Sequence, residues 1–224
     1  MCRLSGAHSV ILIVYTKKDM ATFSGVSVCV WDFDGTLYKP TPELDRAIIE
    51  ADYILVMKHT GWSREKTVTE FHKVFQVVTP SSTETAAKLA GISVREAAIE
   101  CELYKDRRKY LARDEKLVSA FESLRTYTHY LLVKGIKEKV TEGLEVLGLS
   151  ASLFTEVVTS EVVGVNKPQL DGFQYVMKKT GQPPASHLMI GDREAVDLVP
   201  AKTVGMQTCL VSWGVTTPQT DSVD

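Results

Sequence analysis

The chain has 224 residues, a formal net charge of -2 and 44% hydrophobic side chains, enough for one α/β domain with an insertion or for two small domains that bury about 70% of the unfolded surface. Charges of both signs are mixed throughout, which excludes the basic face of a nucleic-acid binder and the acidic tail that would seek a basic partner. Cys2, Cys29, Cys101 and Cys209 are scattered without a CxxC pair, and Cys29 and Cys209 fall in strand-like apolar runs, so a stapled secreted scaffold is excluded and a reducing, cytoplasmic setting is expected.

In chain order, Ser9 to Tyr15 is an apolar run of about seven residues, far short of the roughly 20 that span a bilayer. Residues 1–24 read as an N-terminal extension: a weak targeting segment, an extra strand or loose chain. Met20 offers an alternative start. The stretch Val28-Cys29-Val30-Trp31-Asp32-Phe33-Asp34-Gly35-Thr36-Leu37 then runs an apolar strand into two carboxylates on a glycine turn. Open α/β sheets bind ligands beyond the carboxyl ends of their strands, where Asp32 and Asp34 fall. Gly35 lets the backbone turn close to a ligand, and the Thr36 hydroxyl can tie the turn down or donate to an anion. A bare DxDG also describes an ordinary Asp-Gly turn. A calcium loop with Glu43 at its twelfth place fails, because the glycine comes two places early and a strand precedes where a helix is needed.

Thr41, Pro42 and Glu43 supply an N-cap, a first-turn proline and a first-turn acid for a helix running toward Gly61. A second helix from near Ser63 carries Val68, Phe71, Val74 and Phe75 at helical spacing. Pro80, Ser81 and Ser82 read as a loop, and Ser93 with Glu96 forms a capping box ahead of a third long helix through Tyr110. The core resumes with a helix over Glu115 to Tyr127, the strand Tyr130 to Val133, a helix over Lys137 to Leu147 closed by Gly148, and the strand Glu156 to Thr159. This alternation predicts right-handed parallel units, with helices on both faces of one sheet. After Val163-Gly164-Val165-Asn166-Lys167-Pro168 comes a helix over Gln169 to Lys179. The run His187-Leu188-Met189-Ile190-Gly191-Asp192 is a strand ending in GDxxxxD, with Asp197 five places on. Cys209 to Val211 makes a last strand, and residues 215–224 a loose tail.

WDFDGTL, GVNKP and GDxxxxD, in that order and spacing, resemble the motifs of the haloacid dehalogenase superfamily of phosphohydrolases. True dehalogenases of that superfamily lack the second aspartate, so Asp34 argues for phosphate and against halide. The resemblance implies a Rossmann-like three-layer α/β core over 25–39 and 114–214, and a helical cap over 40–113 hinged near Lys39 to Thr41 and Ala112 to Glu115. It implies a nucleophile at Asp32, an acid and base at Asp34, and a lysine at Lys167 that holds carboxylates and phosphate together. It also implies Mg²⁺ bound by Asp32, Asp192 and the backbone carbonyl of Asp34. Asp197 reads either as holding a metal-bound water or as complementing the helix dipole.

One position departs from the pattern. Val133 stands where the second motif has Thr or Ser, and Lys134 where Asn is frequent. Thr128 cannot substitute, lying about 16 Å away at roughly 3.3 Å per residue of strand. Backbone amides and Lys134 could take over part of the phosphate contact, or Lys134 could be a plain surface charge. The lost hydrogen bond amounts to about 1.5–3 kcal/mol, roughly ten- to a hundredfold in rate. The function expected is therefore a Mg²⁺-dependent phosphatase of a small phosphorylated metabolite, with no nucleic-acid or membrane partner. The rivals are a catalytically weak binding or regulatory protein and a sugar phosphomutase. Trp62, Tyr53, Phe71 and His72 are expected on the cap's inner face.

Overall fold

A computed structural model describes residues 23–75 and 81–213. The expected extension before residue 23, Pro80 and the tail lie outside the described residues. Five parallel strands, β1 (Val28–Trp31), β2 (Thr128–Leu132), β3 (Glu156–Val158), β4 (His187–Gly191) and β5 (Gln207–Leu210), form one sheet in the order β3-β2-β1-β4-β5. β1 lies at the centre, pairing Trp31 with Leu131 of β2 and Ile190 of β4, so its carboxyl end opens between both neighbours.

The near-continuous apolar strands follow from burial on both faces. Cys29, Trp31, Leu131, Leu188, Ile190 and Cys209 face one cluster, with Phe33, Phe121 and Leu144; Val28, Val30, Tyr130, Leu132 and Met189 face the other, with Phe173 and Val176. The layers are therefore helix, sheet, helix, as the strand-helix alternation predicts. Cys29 and Cys101 are buried free thiols. Cys209 is disulfide-bonded, which corrects the expectation of a free core thiol there.

Four helices follow β1: α1 (Pro42–Thr60), α2 (Arg64–Phe75), α3 (Ser82–Ala90) and α4 (Val94–Cys101). Thr41 caps α1, its hydroxyl accepting from Leu44 N–H at 3.2 Å, and Gly61 ends it in the left-handed region. The capping box at Ser93 and Glu96 is present, with Ser93 N–H donating to Glu96 Oε2 at 2.9 Å and Glu96 N–H to Ser93 Oγ at 3.1 Å. Two expectations are corrected. Ser81 and Ser82 are no loop: Ser81 caps α3, whose short Ala-rich face packs on α1. The third helix stops at Cys101, because Lys105 to Lys109 offers no apolar stripe and the chain turns inward through the 3₁₀ turn Arg107–Tyr110, capped by Asp106. α1 to α4 share their own cluster around Ala51, Leu55, Val56, Ala86 and Ala97.

Downstream come α5 (Glu115–Ser123), α6 (Lys137–Leu147), α7 (Ser160–Val163), α8 (Asp171–Thr180), a π-helical turn Glu194–Leu198 and α9 (Val199–Thr203). α5 ends short of the expected Tyr127, and α7 lies in a stretch with no expected helix. No helix among the described residues is long and apolar enough to cross a membrane.

Candidate active site

The site grows from the end of β1. Asp32 N–H still follows the sheet, donating to Ile190 O at 2.9 Å, and the chain then turns, with Thr36 and Leu37 N–H both donating to Phe33 O at 3.2 and 3.0 Å. Phe33 and Leu37 are buried and anchor this turn in the core. Gly35 is at φ +82°, and a Cβ there would lie 2.7 Å from Asp192 Cγ, so only glycine lets the turn and the Asp192 carboxylate coexist.

Lys167 reaches in from the segment before α8. Its Nζ donates to Asp32 Oδ1 at 2.7 Å and pairs with Asp197 Oδ1. Burial opposes the ammonium charge, but Asp197 and Asp32 outweigh it and raise the Lys167 pKa. The other Asp32 oxygen accepts from the Thr36 hydroxyl at 3.1 Å, so the donor that could meet an anion is committed to Asp32. Asp197 is fully buried in the π-helical turn, and its Oδ2 accepts the Arg193 N–H at 3.1 Å. Neither expected role of Asp197 anticipated a shared ammonium.

Asp32, Asp192 and Asp197 each bring a carboxylate oxygen within 4.8 Å of the others. Asp192 Oδ1 is buried and has no hydrogen-bond partner among the described residues. Burial and the neighbouring Asp32 charge push the Asp192 carboxyl up to about 8, and burial raises Asp32 despite Lys167. Crowded carboxylates, with one oxygen that accepts no hydrogen bond and has the Arg193 guanidinium 3.9 Å away, form an all-oxygen donor set, which fits a hard divalent cation such as Mg²⁺.

Asp34 points to another set of partners. Arg107 Nε donates to its Oδ1 at 2.9 Å and Arg107 Nη2 to its Oδ2 at 3.1 Å, while the Tyr38 hydroxyl donates to Oδ1. Burial would raise this carboxyl, yet Arg107 and Tyr38 hold it at about 2. Burial and Asp34 push the Tyr38 hydroxyl far above its ordinary range, which keeps it a donor.

Val133 is buried in the same cluster as Trp31 and Phe33, its N–H committed to Val158 O at 3.0 Å. Lys134 is half-buried, its Nζ donating to Ser81 Oγ at 3.3 Å; burial, and then the like charge of Arg193, pull its pKa down to about 8. Lys134 thus bridges to α3 and is not the plain surface charge it could have been. Tyr53, Phe71, Trp62 and His72 pack with the insert's own cluster: Tyr53 meets Phe71 edge-on at 5.1 Å, and its hydroxyl bonds His72 Nε2 at 3.1 Å. They read as insert core.

Sequence reasoning missed Arg107, Tyr38 and Arg193. Arg107 hides in the basic run Lys105 to Lys109, which reads as a solvated surface, and nothing in the spacing separates it from Arg108.

The haloacid dehalogenase-like hydrolase profile matches residues 26–205. A glyceraldehyde 3-phosphate phosphatase of Methanocaldococcus jannaschii is 36% identical over 84 residues, 38% of this chain and 36% of that protein. One of Methanothermobacter thermautotrophicus is 33% identical over 94 residues, 42% of this chain and 41% of that protein. The matched stretch thus spans less than half of each relative's length. The crystal structure of a HAD phosphatase from Thermococcus onnurineus has the same fold, with a TM-score of 0.60 at 20% identity, covering 87% of this chain and 90% of that one. With most of its length matched by the family profile, and with the motif residues Asp32, Lys167 and Asp192 gathered at one strand end, the chain belongs to the haloacid dehalogenase-like hydrolases.

Proposed function

We propose that the chain is a Mg²⁺-dependent phosphatase of a small phosphate monoester, working through an aspartyl-phosphate on Asp32. The observation that carries this reading is the Lys167 ammonium 2.7 Å from Asp32 Oδ1, beside the acidic cluster at the carboxyl end of β1. Thr36 and Lys167 each hold one Asp32 oxygen and so orient the carboxylate for in-line attack on phosphorus. Lys167 neutralises charge on the phosphoryl oxygens, and Lys134 adds a second ammonium on the side of α3. Asp32, Asp192 and the backbone carbonyl of Asp34 would hold the metal ion, which when bound supplies further neutralisation of that charge.

Asp34 gives a proton to the leaving alkoxide and recovers it from the water that hydrolyses the intermediate. In the free protein Arg107 favours its ionised form. The like charge of a bound phosphate dianion works in the opposite direction and favours the protonated acid. Residues 40–113, with their separate cluster, serve as a cap over this site, hinged near Lys39 to Thr41 and Ala112 to Glu115.

The test is phosphate release from a panel of phosphorylated metabolites with and without Mg²⁺, with glyceraldehyde 3-phosphate included because the two archaeal relatives carry that name. Release by the native chain and none by Asp32→Asn is the expected result. Turnover that survives in Asp32→Asn removes the covalent mechanism, and a panel with no release removes the phosphatase.

A further inference from the structure

We propose that Arg107 is the positioning residue of Asp34: its guanidinium grips both oxygens of the carboxylate and, together with the Tyr38 hydroxyl, fixes the orientation in which Asp34 meets the reacting groups. This rests on the phosphatase reading above. An ionised carboxylate accepts about four hydrogen bonds, two on each oxygen. Arg107 Nε and the Tyr38 hydroxyl occupy both sites of Oδ1, and Arg107 Nη2 occupies one of Oδ2. Among the described residues Oδ1 thus accepts two donors and Oδ2 one, which holds the plane of the carboxylate in a single orientation. That orientation is what the acid and base role proposed for Asp34 above requires toward the leaving oxygen and then toward the attacking water.

The guanidinium is itself immobilised. Its Nη1 and Nη2 donate to Glu102 Oε2 and Oε1 at 2.6 and 3.1 Å, and Lys105 pairs with Glu102 at 2.8 Å. Glu102 in turn lies against Gly135 in the loop after β2, where a Cβ would sit 2.9 Å from Oε1. The guanidinium also lies 5.9 Å from the Phe33 ring centroid. Exposure separates this pair from a surface salt bridge: the Arg107 side chain is 5% exposed and that of Asp34 38%. The cation grips Asp34 from the protein side while part of the carboxylate stays open. Because Arg107 belongs to the end of the insert, whose 3₁₀ turn packs on α1 and α6, the insert contributes directly to the geometry of the acid.

The test compares two leaving groups in Arg107→Gln, Arg107→Lys and Tyr38→Phe. p-Nitrophenolate departs without a proton, whereas the best alkyl monoester from the metabolite panel needs one. Arg107→Gln should lose about tenfold or more in kcat on the alkyl ester and less than about threefold on p-nitrophenyl phosphate. Arg107→Lys should recover part of that loss. Tyr38→Phe, which removes a donor without unpairing a buried charge, should show the same selective loss to a smaller degree and keeps the test open where Arg107→Gln fails to fold. Equal losses on both esters, or none on either, would overturn the positioning role. No release from either ester by the native chain would instead overturn the phosphatase reading, and this assignment with it.

Discussion

One ammonium is shared by two carboxylates from different parts of the chain: Lys167 Nζ lies 2.7 Å from Asp32 Oδ1 at the end of β1 and also pairs with Asp197 in the π-helical turn after β4. All three side chains are buried, so the charges depend on one another and not on solvent. Removing one partner from such a group costs about 3–5 kcal/mol, because the charge left behind is uncompensated. Lys167→Met should therefore lower stability in urea denaturation by that order and lose at least about a hundredfold in turnover. Added Mg²⁺ should restore part of the stability, since a ligand that binds only the folded state stabilises it. A variant as stable as the native chain without Mg²⁺ would show that the cluster does not need this cation.

The fold was legible because its signals are local and repeated. Apolar strands such as Val28 to Trp31 alternate with capped helices, and Thr41, Ser93 and Gly148 mark helix ends that the structure keeps. The gathering of Asp32, Lys167 and Asp192 was legible through motif resemblance: Asp32 and Asp192 directly follow β1 and β4, and Lys167 lies in the segment before α8. α3 was not legible: its serine cap looks like a turn, and a nine-residue helix with three buried residues carries little periodic signal. Arg107 was not legible for a different reason. Its partners Asp34 and Glu102 lie at unrelated separations, and a buried guanidinium in a basic run looks like its solvated neighbours.

Gly35 should not tolerate a side chain. Its φ of +82° strains any L-residue by roughly 1–2 kcal/mol, and the new methyl would also push on the Asp192 carboxylate. Gly35→Ala is thus expected to fold with reduced stability and to lose Mg²⁺ affinity by about tenfold or more, read by calorimetric titration. A variant with native Mg²⁺ affinity would show that Asp192 tolerates the shift or does not hold the ion.

Val133→Thr tests whether the missing hydroxyl matters. The native side chain is 6% exposed and belongs to the cluster of Trp31 and Phe33, so a hydroxyl there would be partly desolvated. The expected outcome is a loss of about 1–2 kcal/mol in stability and a change in kcat within about threefold. A tenfold gain in phosphate release would instead mean that the native site lacks a donor it can use, which would favour the reading of a catalytically weak protein.

Lys134 gives the clearest pH signature. Its folded pKa of about 8 lies below the ordinary 10.5, chiefly through burial and then through Arg193, with Lys167 adding to the effect and Asp52 and Glu84 opposing it. Below pH 8 the ammonium is charged in both folded and unfolded chains, and the folded state carries the full penalty. Between about 8 and 10.5 the unfolded chain holds a proton that the folded chain has released, so this group's contribution to stability rises with pH. Lys134→Met should therefore exceed the native chain in stability at pH 7 by about 1–3 kcal/mol, with the gap closing as pH approaches 10. An anion placed against Lys134 favours its charged form, so inorganic phosphate should narrow the gap at pH 7 and bind the variant about tenfold more weakly. Thermal melts across that pH range, with and without phosphate, would decide it, and a gap that stays constant with pH would remove Lys134 as the titrating group.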